Sequence, residues 1–255
     1  KLEKLLDMIE ENDLTFDSYP YNFGSTSLEI IIPPDFIEDS GLDILNDSAA
    51  RNKLKRIYKN GENHYDNWDN LPYLLGWENI YLSHLDNSQY SDLIGLSLAD
   101  IAAKWEMEAA DAAFKLLIEE ENILMQDYYM QENIIKTILT HKNGSIGTDS
   151  LFSKSNPHPR TYSTYTKILK KYVFGEGILS LAEAVNKIKK KPAELLGLKN
   201  RGEISPGKKA DLVIFSKKDL LADKNNGING VIINGSWKLK DGDYYKSLKP
   251  GKIIK

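Results

Sequence analysis

The feature that most constrains this fold is a change of sequence pattern near residue 199. Upstream of it, strand-like runs at 14–21, at 77–85 and within 141–150 alternate with helical segments. Downstream of it, three strand-like runs are joined by turns that contain Gly-Asp and Asn-Gly pairs. These runs are 211–215, 230–239 and 251–255. The pattern predicts an α/β region over 1–198 and a small β domain over 199–255.

Strands that alternate with helices are typical of a parallel sheet or of part of a (βα)₈ TIM-type barrel. Three such strands are too few to close a barrel, which takes about 250 residues by itself. We therefore expect residues 1–198 to form only a portion of a barrel.

Capping boxes mark two of the predicted helix starts. Ser97 with Asp100, and Ser180 with Glu183, have the spacing at which each side chain accepts a hydrogen bond from the other residue's backbone N–H. Periodic apolar residues and these caps predict helices at 1–12, 48–59, 97–106, 107–121, 130–140, 164–174 and from Ser180 to just before Pro192.

The composition limits the kinds of molecule that this chain is expected to bind. The 255 residues are 41% hydrophobic and 27% charged, with a net charge of −4. This mildly acidic balance predicts no binding to nucleic acid or to an anionic membrane, and no apolar run approaches the ~20 residues that cross a bilayer. The absence of cysteine excludes disulfides and thiolate metal ligands from this chain and favours a cytoplasmic location.

Four motifs follow one another along the chain. Residues 17–26 read D-S-Y-P-Y-N-F-G-S-T, 146–149 read I-G-T-D, 158–160 read H-P-R, and 192–213 contain P-A-x-x-x-G-L-x-x-R-G-x-I-x-x-G-x-x-A-D-L-V. In this order and spacing they resemble the N-acyl-D-amino-acid deacylases (D-aminoacylases) of the amidohydrolase superfamily. The last motif is shared widely in the superfamily, whereas the first and third are specific to the deacylase branch.

The resemblance implies the C-terminal half of such an enzyme. Residues 1–198 would be strands six to eight of the TIM-type barrel with their helices, and residues 199–255 the C-terminal part of a small β-sandwich domain. The N-terminal half of the barrel would then be a required partner.

The resemblance also implies roles for four residues. Asp149 is expected to take a proton from water and pass it to the leaving amine. Arg160 is expected to bind the substrate carboxylate, and Tyr19 and Ser25 to hold a carboxylate or carbonyl oxygen. From the residues alone, Asp149 could equally be a turn or helix N-cap residue, Arg160 a surface ion-pair partner and Tyr19 a packed aromatic residue.

Histidines make a weaker case for function. His158 precedes Pro159, and we expect it to fix the loop that aims Arg160 rather than to bind a metal. His64, His84 and His141 have no partners at metal-ligand spacing.

The resembled family uses zinc, which lowers the pKa of bound water to about 7 and polarises the acyl carbonyl. Its ligands are histidines from strands five and six, a cysteine from an earlier strand and an H-x-H pair on strand one. The four histidines here match none of these positions, and cysteine is absent. We expect the main zinc ligands to lie outside this chain, with Asp149 as a weak ligand at most.

The implied reaction is hydrolysis of an N-acyl-D-amino acid to a carboxylate and a D-amino acid. One alternative is another amidohydrolase activity, such as that of a dihydroorotase or a hydantoinase-like cyclic amidase, against which the H-P-R segment argues. A second is a non-catalytic fragment or partner half. A third is that the sequence is the retained piece of a normal full-length enzyme.

Overall fold

The computed structural model describes residues 2–61, 68–152, 155–223 and 227–253, so His64 lies outside the described residues. The chain forms two compact units. The first consists of residues 1–20, 133–149 and 162–255, and the second of residues 21–132 and 150–161. Residues 21–132 of the second unit are therefore inserted, in sequence, between two segments of the first unit.

The first unit contains a parallel pair of strands, β1 (Phe16–Ser18) and β5 (Gly144–Ile146). Phe16 pairs with Gly144 and Ser18 with Ile146, so both strands end at the same edge. The α-helices that lie wholly or mostly in this unit before residue 199 are α1 (Leu2–Glu11), α7 (Glu132–Thr140), α8 (Arg160–Lys167), α9 (Leu181–Val185) and α10 (Lys191–Leu195). π-Helical segments lie at Ile168–Gly175 and Asn186–Lys190. Strands and helices together confirm the α/β class.

The C-terminal residues form one antiparallel sheet in the order β6-β7-β8-β9. Its strands are β6 (Leu212–Phe215), β7 (Ile228–Ile233), β8 (Ser236–Lys240) and β9 (Asp243–Tyr244), with α11 (Lys217–Leu221) after β6. Asn234 and Gly235 join β7 to β8 and both have positive φ, as a tight hairpin turn requires. Residues 251–253, predicted as part of a strand, are in none, and 254–255 lie outside the described residues. The sandwich and the boundary between residues 198 and 199 stay predictions.

The second unit contains a separate antiparallel sheet in the order β2-β4-β3. Its strands are β2 (Thr26–Ser27), β3 (Ile80–His84) and β4 (Leu124–Asp127). The prediction that 77–85 is one of three strands of a parallel sheet is wrong, because β3 pairs antiparallel with β4. The apolar run at 77–85 indicated a strand, but a run of this kind does not identify its pairing partner.

The second unit also contains five α-helices among the described residues. The α-helices are α2 (Pro34–Ile37), α3 (Ser48–Asn60), α4 (Leu71–Leu75), α5 (Leu98–Lys104) and α6 (Ala109–Glu119). Short 3₁₀ helices lie at Leu28–Ile31, Gly41–Asn46, Trp77–Asn79 and Ser88–Leu93. Phe114 from α6, Leu54 from α3 and Met125 from β4 are fully buried in one apolar core. No helix in the described ranges is long and apolar enough to cross a membrane.

Candidate active site

Tyr19 and Asp149 leave the same edge of the parallel pair in the first unit. Tyr19 is the first residue after β1, and Asp149 is the third residue after β5. The backbone N–H of Gly147 donates to the carbonyl oxygen of Ser18 at 3.3 Å, which extends the pairing beyond the strands. The prediction that both residues stand at the C-terminal ends of neighbouring parallel strands is confirmed.

Asp149 has a left-handed backbone. Its φ is +45°, and its side chain is exposed. Few residues other than glycine adopt this region, and aspartate is among those that tolerate it best. Such a conformation is often found where a side chain is aimed for a function. It also shows that Asp149 is not a helix N-cap.

Arg160 is held inside the second unit. It is the first residue of α8, whereas the sequence predicted a helix only from about residue 164. The side chain is 2% exposed, and its Nη2 donates to the carbonyl oxygen of Ser25 at 3.0 Å. The alternative of a surface ion pair is therefore wrong. Ser25 is half-buried and directly precedes β2.

His158 fixes the backbone around Arg160. Its Nδ1 accepts a hydrogen bond from the backbone N–H of Arg160 at 2.9 Å, and its Nε2 lies 2.9 Å from the carbonyl oxygen of Phe23. Because Nδ1 accepts, the ring proton is on Nε2, which donates to Phe23. Both nitrogens are thus used by backbone groups. This arrangement agrees with a loop-fixing residue and leaves no ring nitrogen for a metal.

Asp127 was not predicted from the sequence. It ends β4 and is only 9% exposed. Burial raises the pKa of the Asp127 carboxyl above its ordinary value, although its own backbone, the positive charge of Arg160 and the backbone of Gly24 act in the opposite direction. The one signal in the sequence was an acid two residues after the apolar run 123–125.

Metal-ligating side chains do not cluster in the part of the chain that the structure describes. No group of three His, Asp or Glu residues there is arranged to hold a metal ion. A role of Asp149 as a weak metal ligand stays a prediction.

Curated relatives cover part of the chain. An N-acyl-D-glutamate deacylase from Alcaligenes xylosoxydans xylosoxydans is 32% identical over 170 residues, which is 63% of this chain and 33% of that protein. A D-aminoacylase from the same organism is 28% identical over 155 residues, which is 58% of this chain and 31% of that protein. The chain thus spans about a third of the length of the curated relatives it matches.

Solved structures show the same fold over almost the whole chain. A D-aminoacylase structure matches 96% of this chain and 44% of its own, with a TM-score of 0.68 and 23% identity. An N-acyl-D-glutamate deacylase from Bordetella bronchiseptica matches 92% of this chain and 42% of its own, with a TM-score of 0.64 and 24% identity.

The sequence model of one protein family matches residues 104–236, just over half of the chain. This match includes β4, the I-G-T-D and H-P-R motifs and the beginning of the C-terminal sheet. The chain belongs to the amidohydrolase family.

Proposed function

We propose that the complete enzyme containing this chain hydrolyses the amide bond of N-acyl-D-amino acids. The observation that carries the proposal is the common strand edge from which Tyr19 and Asp149 emerge. Carboxyl ends of parallel strands form the active-site face of barrel enzymes. Relatives named for deacylation of N-acyl-D-glutamate and N-acyl-D-aspartate support the substrate class.

Each candidate residue has a chemical task in this proposal. The Asp149 carboxylate accepts a proton from the attacking water, whose oxygen bonds to the acyl carbon. The same proton then passes to the amine nitrogen as the C–N bond breaks. Arg160 binds the α-carboxylate through its planar guanidinium, and the hydroxyls of Tyr19 and Ser25 hold carboxylate or carbonyl oxygen.

The proposal includes zinc because of two solved relatives. One is described as complexed with zinc, and the other as having a binuclear metal centre. A protein zinc site needs about three protein ligands. The described residues of this chain do not fit that requirement by themselves. We therefore assign no step through the metal to this chain, and we propose that residues outside it supply the main ligands.

The finer architecture is also part of the proposal. We propose that β1 and β5 are neighbouring strands of a TIM-type barrel completed by a separate N-terminal half. The sheet β6–β9 would belong to a β-sandwich domain beginning at residue 199. We also propose a cytoplasmic location, because this chain has no cysteine that could form a disulfide.

A substrate panel tests the proposed function. The complete enzyme is assayed with N-acetyl-D-amino acids, their L enantiomers, dihydroorotate and hydantoin, with the Asp149→Asn enzyme as background. We expect hydrolysis of the D compounds alone. If the enzyme hydrolysed dihydroorotate or hydantoin but not the N-acetyl-D-amino acids, it would be a cyclic amidase. No turnover at all would favour a non-catalytic role.

A further inference from the structure

The segment that leads to Arg160 contains two prolines. Residues 155–160 read S-N-P-H-P-R. Each proline fixes its own φ and restricts the residue before it to extended backbone. The segment is therefore stiff, and we expect a displacement at Ser155 to be carried along the chain to Arg160, five residues later.

The beginning of this segment is bound to β3 and β4. The Oγ of Ser155 lies 2.9 Å from Nδ1 of His84, the last residue of β3. The backbone N–H of Asn156 donates to the carbonyl oxygen of Ser83 at 3.2 Å. The carbonyl oxygen of Asn156 accepts a hydrogen bond from Nε2 of Gln126, in β4, at 3.4 Å. Contacts from both strands thus hold the segment where it begins.

His84 is itself held through its other ring nitrogen. Its Nε2 lies 3.3 Å from Oδ1 of Asp86, whose Oδ2 accepts a hydrogen bond from Nδ2 of Asn122 at 2.8 Å. Because a carboxylate only accepts, the neutral ring carries its proton on Nε2, and Nδ1 accepts the hydroxyl hydrogen of Ser155. His84 is buried, so its ring has little room to turn.

The end of the segment meets the loop that carries Ser25. Arg160 Nη2 donates to the carbonyl oxygen of Ser25, and His158 Nε2 donates to that of Phe23. All these residues and His84 lie in the second unit. The position of the Arg160 guanidinium relative to Ser25 therefore depends on where the whole segment is held.

We propose that His84 is a positioning residue for substrate binding, because through Ser155 it sets the position of the Arg160 guanidinium beside Ser25. The inference rests on the proposed function, in which Arg160 binds the α-carboxylate. A misplacement of about 1 Å caused by a distant substitution is enough to impair an enzyme strongly. His84 contacts neither of the two residues that bind the substrate in this unit, so its effect is on the binding of the carboxylate and not on the proton transfer assigned to Asp149.

The test compares N-acetyl-D-amino acids with the corresponding amides in the complete enzyme. Ser155→Ala and His84→Ala each remove one partner of the hydrogen bond. Each should raise KM for the acids by about 3- to 10-fold, the range expected for a neutral hydrogen bond, and should leave kcat and KM for the amides nearly unchanged. The double variant should show no further increase, because both substitutions break the same bond. Ser91→Ala, which removes an exposed hydroxyl of the same unit, should leave every KM unchanged.

A conservative variant separates positioning from general support of the fold. In His84→Asn, the side-chain carbonyl oxygen can accept from Ser155 in place of Nδ1. We expect this variant to keep KM for the acids close to the wild-type value, although the contact with Asp86 is lost. Ser155 is exposed, so Ser155→Ala tests the inference even if His84→Ala does not fold.

Two results would overturn the inference while leaving the proposed function intact. Equal increases in KM for acids and amides would show that the contact supports the fold alone. An unchanged KM in Ser155→Ala would show that His84 does not act on Arg160. If the wild-type enzyme hydrolyses no N-acyl-D-amino acid, the proposed function fails, and this inference fails with it.

Discussion

The carboxylate of Asp17 occupies the space that a side chain on Gly147 would need. Asp17 is the central residue of β1, and Gly147 directly follows β5. The first residue of the D-x-Y-P-Y motif thus packs on the glycine of the I-G-T-D motif, about 130 residues away. This contact joins the two motifs at the C-terminal edge of the parallel pair.

Gly147→Ala should destabilise the protein by about 0.5 kcal/mol, because the added methyl group must displace the Asp17 carboxylate, which is exposed and can rotate away. The unfolding midpoint of the variant measures the effect. Gly251→Ala is the matched control, since no atom lies within 4 Å of a Cβ at that position. Truncating the acid in Asp17→Ala/Gly147→Ala should restore part of the loss. If both glycine variants unfold at the same temperature, the close approach of Asp17 to Gly147 does not affect the free energy of unfolding.

Asp149→Asn should lower kcat by about 10²- to 10⁴-fold while leaving the unfolding midpoint unchanged. The amide cannot accept the proton from water, yet asparagine tolerates the left-handed backbone that Asp149 adopts. Asp241→Asn is a suitable control, because Asp241 is an exposed aspartate with a similar φ of +50° in the turn before β9. Full activity in Asp149→Asn would remove this residue from proton transfer.

Arg160→Ala should weaken the binding of N-acyl-D-amino acids by roughly 10- to 100-fold, which corresponds to charged hydrogen bonds of about 1.5–3 kcal/mol. The corresponding amides lack the carboxylate and should lose much less. Comparing KM for each acid with that for its amide separates this effect from general damage caused by removing a buried side chain. Similar losses for acids and amides would show that Arg160 holds the loop rather than the carboxylate.

Local signals in the sequence were reliable. Both capping boxes start helices as predicted, α5 at Ser97 and α9 at Ser180. Each capping box depends on hydrogen bonds within four residues, so it forms without contacts to residues far away in the sequence. The strand ends at Tyr19 and Asp149 were also predictable, because parallel strands that carry active-site motifs end at one edge.

Features that depend on distant partners were not predictable. β4 has only four residues, and its pairing with β3 joins segments about 40 residues apart. The burial of Asp127 gives no local signal in the sequence, because it depends on that pairing. Likewise, α8 starts earlier than predicted, at Arg160. There the backbone N–H donates a hydrogen bond to His158 and the guanidinium donates one to the carbonyl oxygen of Ser25.

Asp127→Asn should increase the stability of the folded protein more at neutral pH than at acid pH. Burial raises the pKa of Asp127 above its ordinary value of 3.8, so the ionised carboxylate costs the folded state free energy. This cost is absent below the unfolded pKa, develops as pH rises, and is complete above the folded pKa. Removing it should raise the unfolding midpoint near pH 7. The midpoints of both proteins near pH 3 should differ less. If the two midpoints differ equally at pH 7 and at pH 3, ionisation of Asp127 does not change the free energy of unfolding.

The polypeptide of residues 1–255, expressed alone, should neither bind one zinc per chain nor deacylate substrate. Among the described residues, no three potential ligands come together, whereas a zinc site needs about three. Neighbouring residues of β6 also remain exposed, Val213 at 46% and Ile214 at 45%. Apolar strand surface of this kind favours association, so the isolated chain should form oligomers or aggregates.

Metal analysis, light scattering and an assay with N-acetyl-D-amino acids, on material of verified intact mass, test this prediction together. Supplying the N-terminal half of the barrel as a second polypeptide is the matched comparison. We expect it to bring zinc binding and turnover to the mixture, because the main ligands would then be present. One tightly bound zinc per isolated chain together with turnover would show that the residues of this chain form a complete metal site, contrary to the ligand assignment.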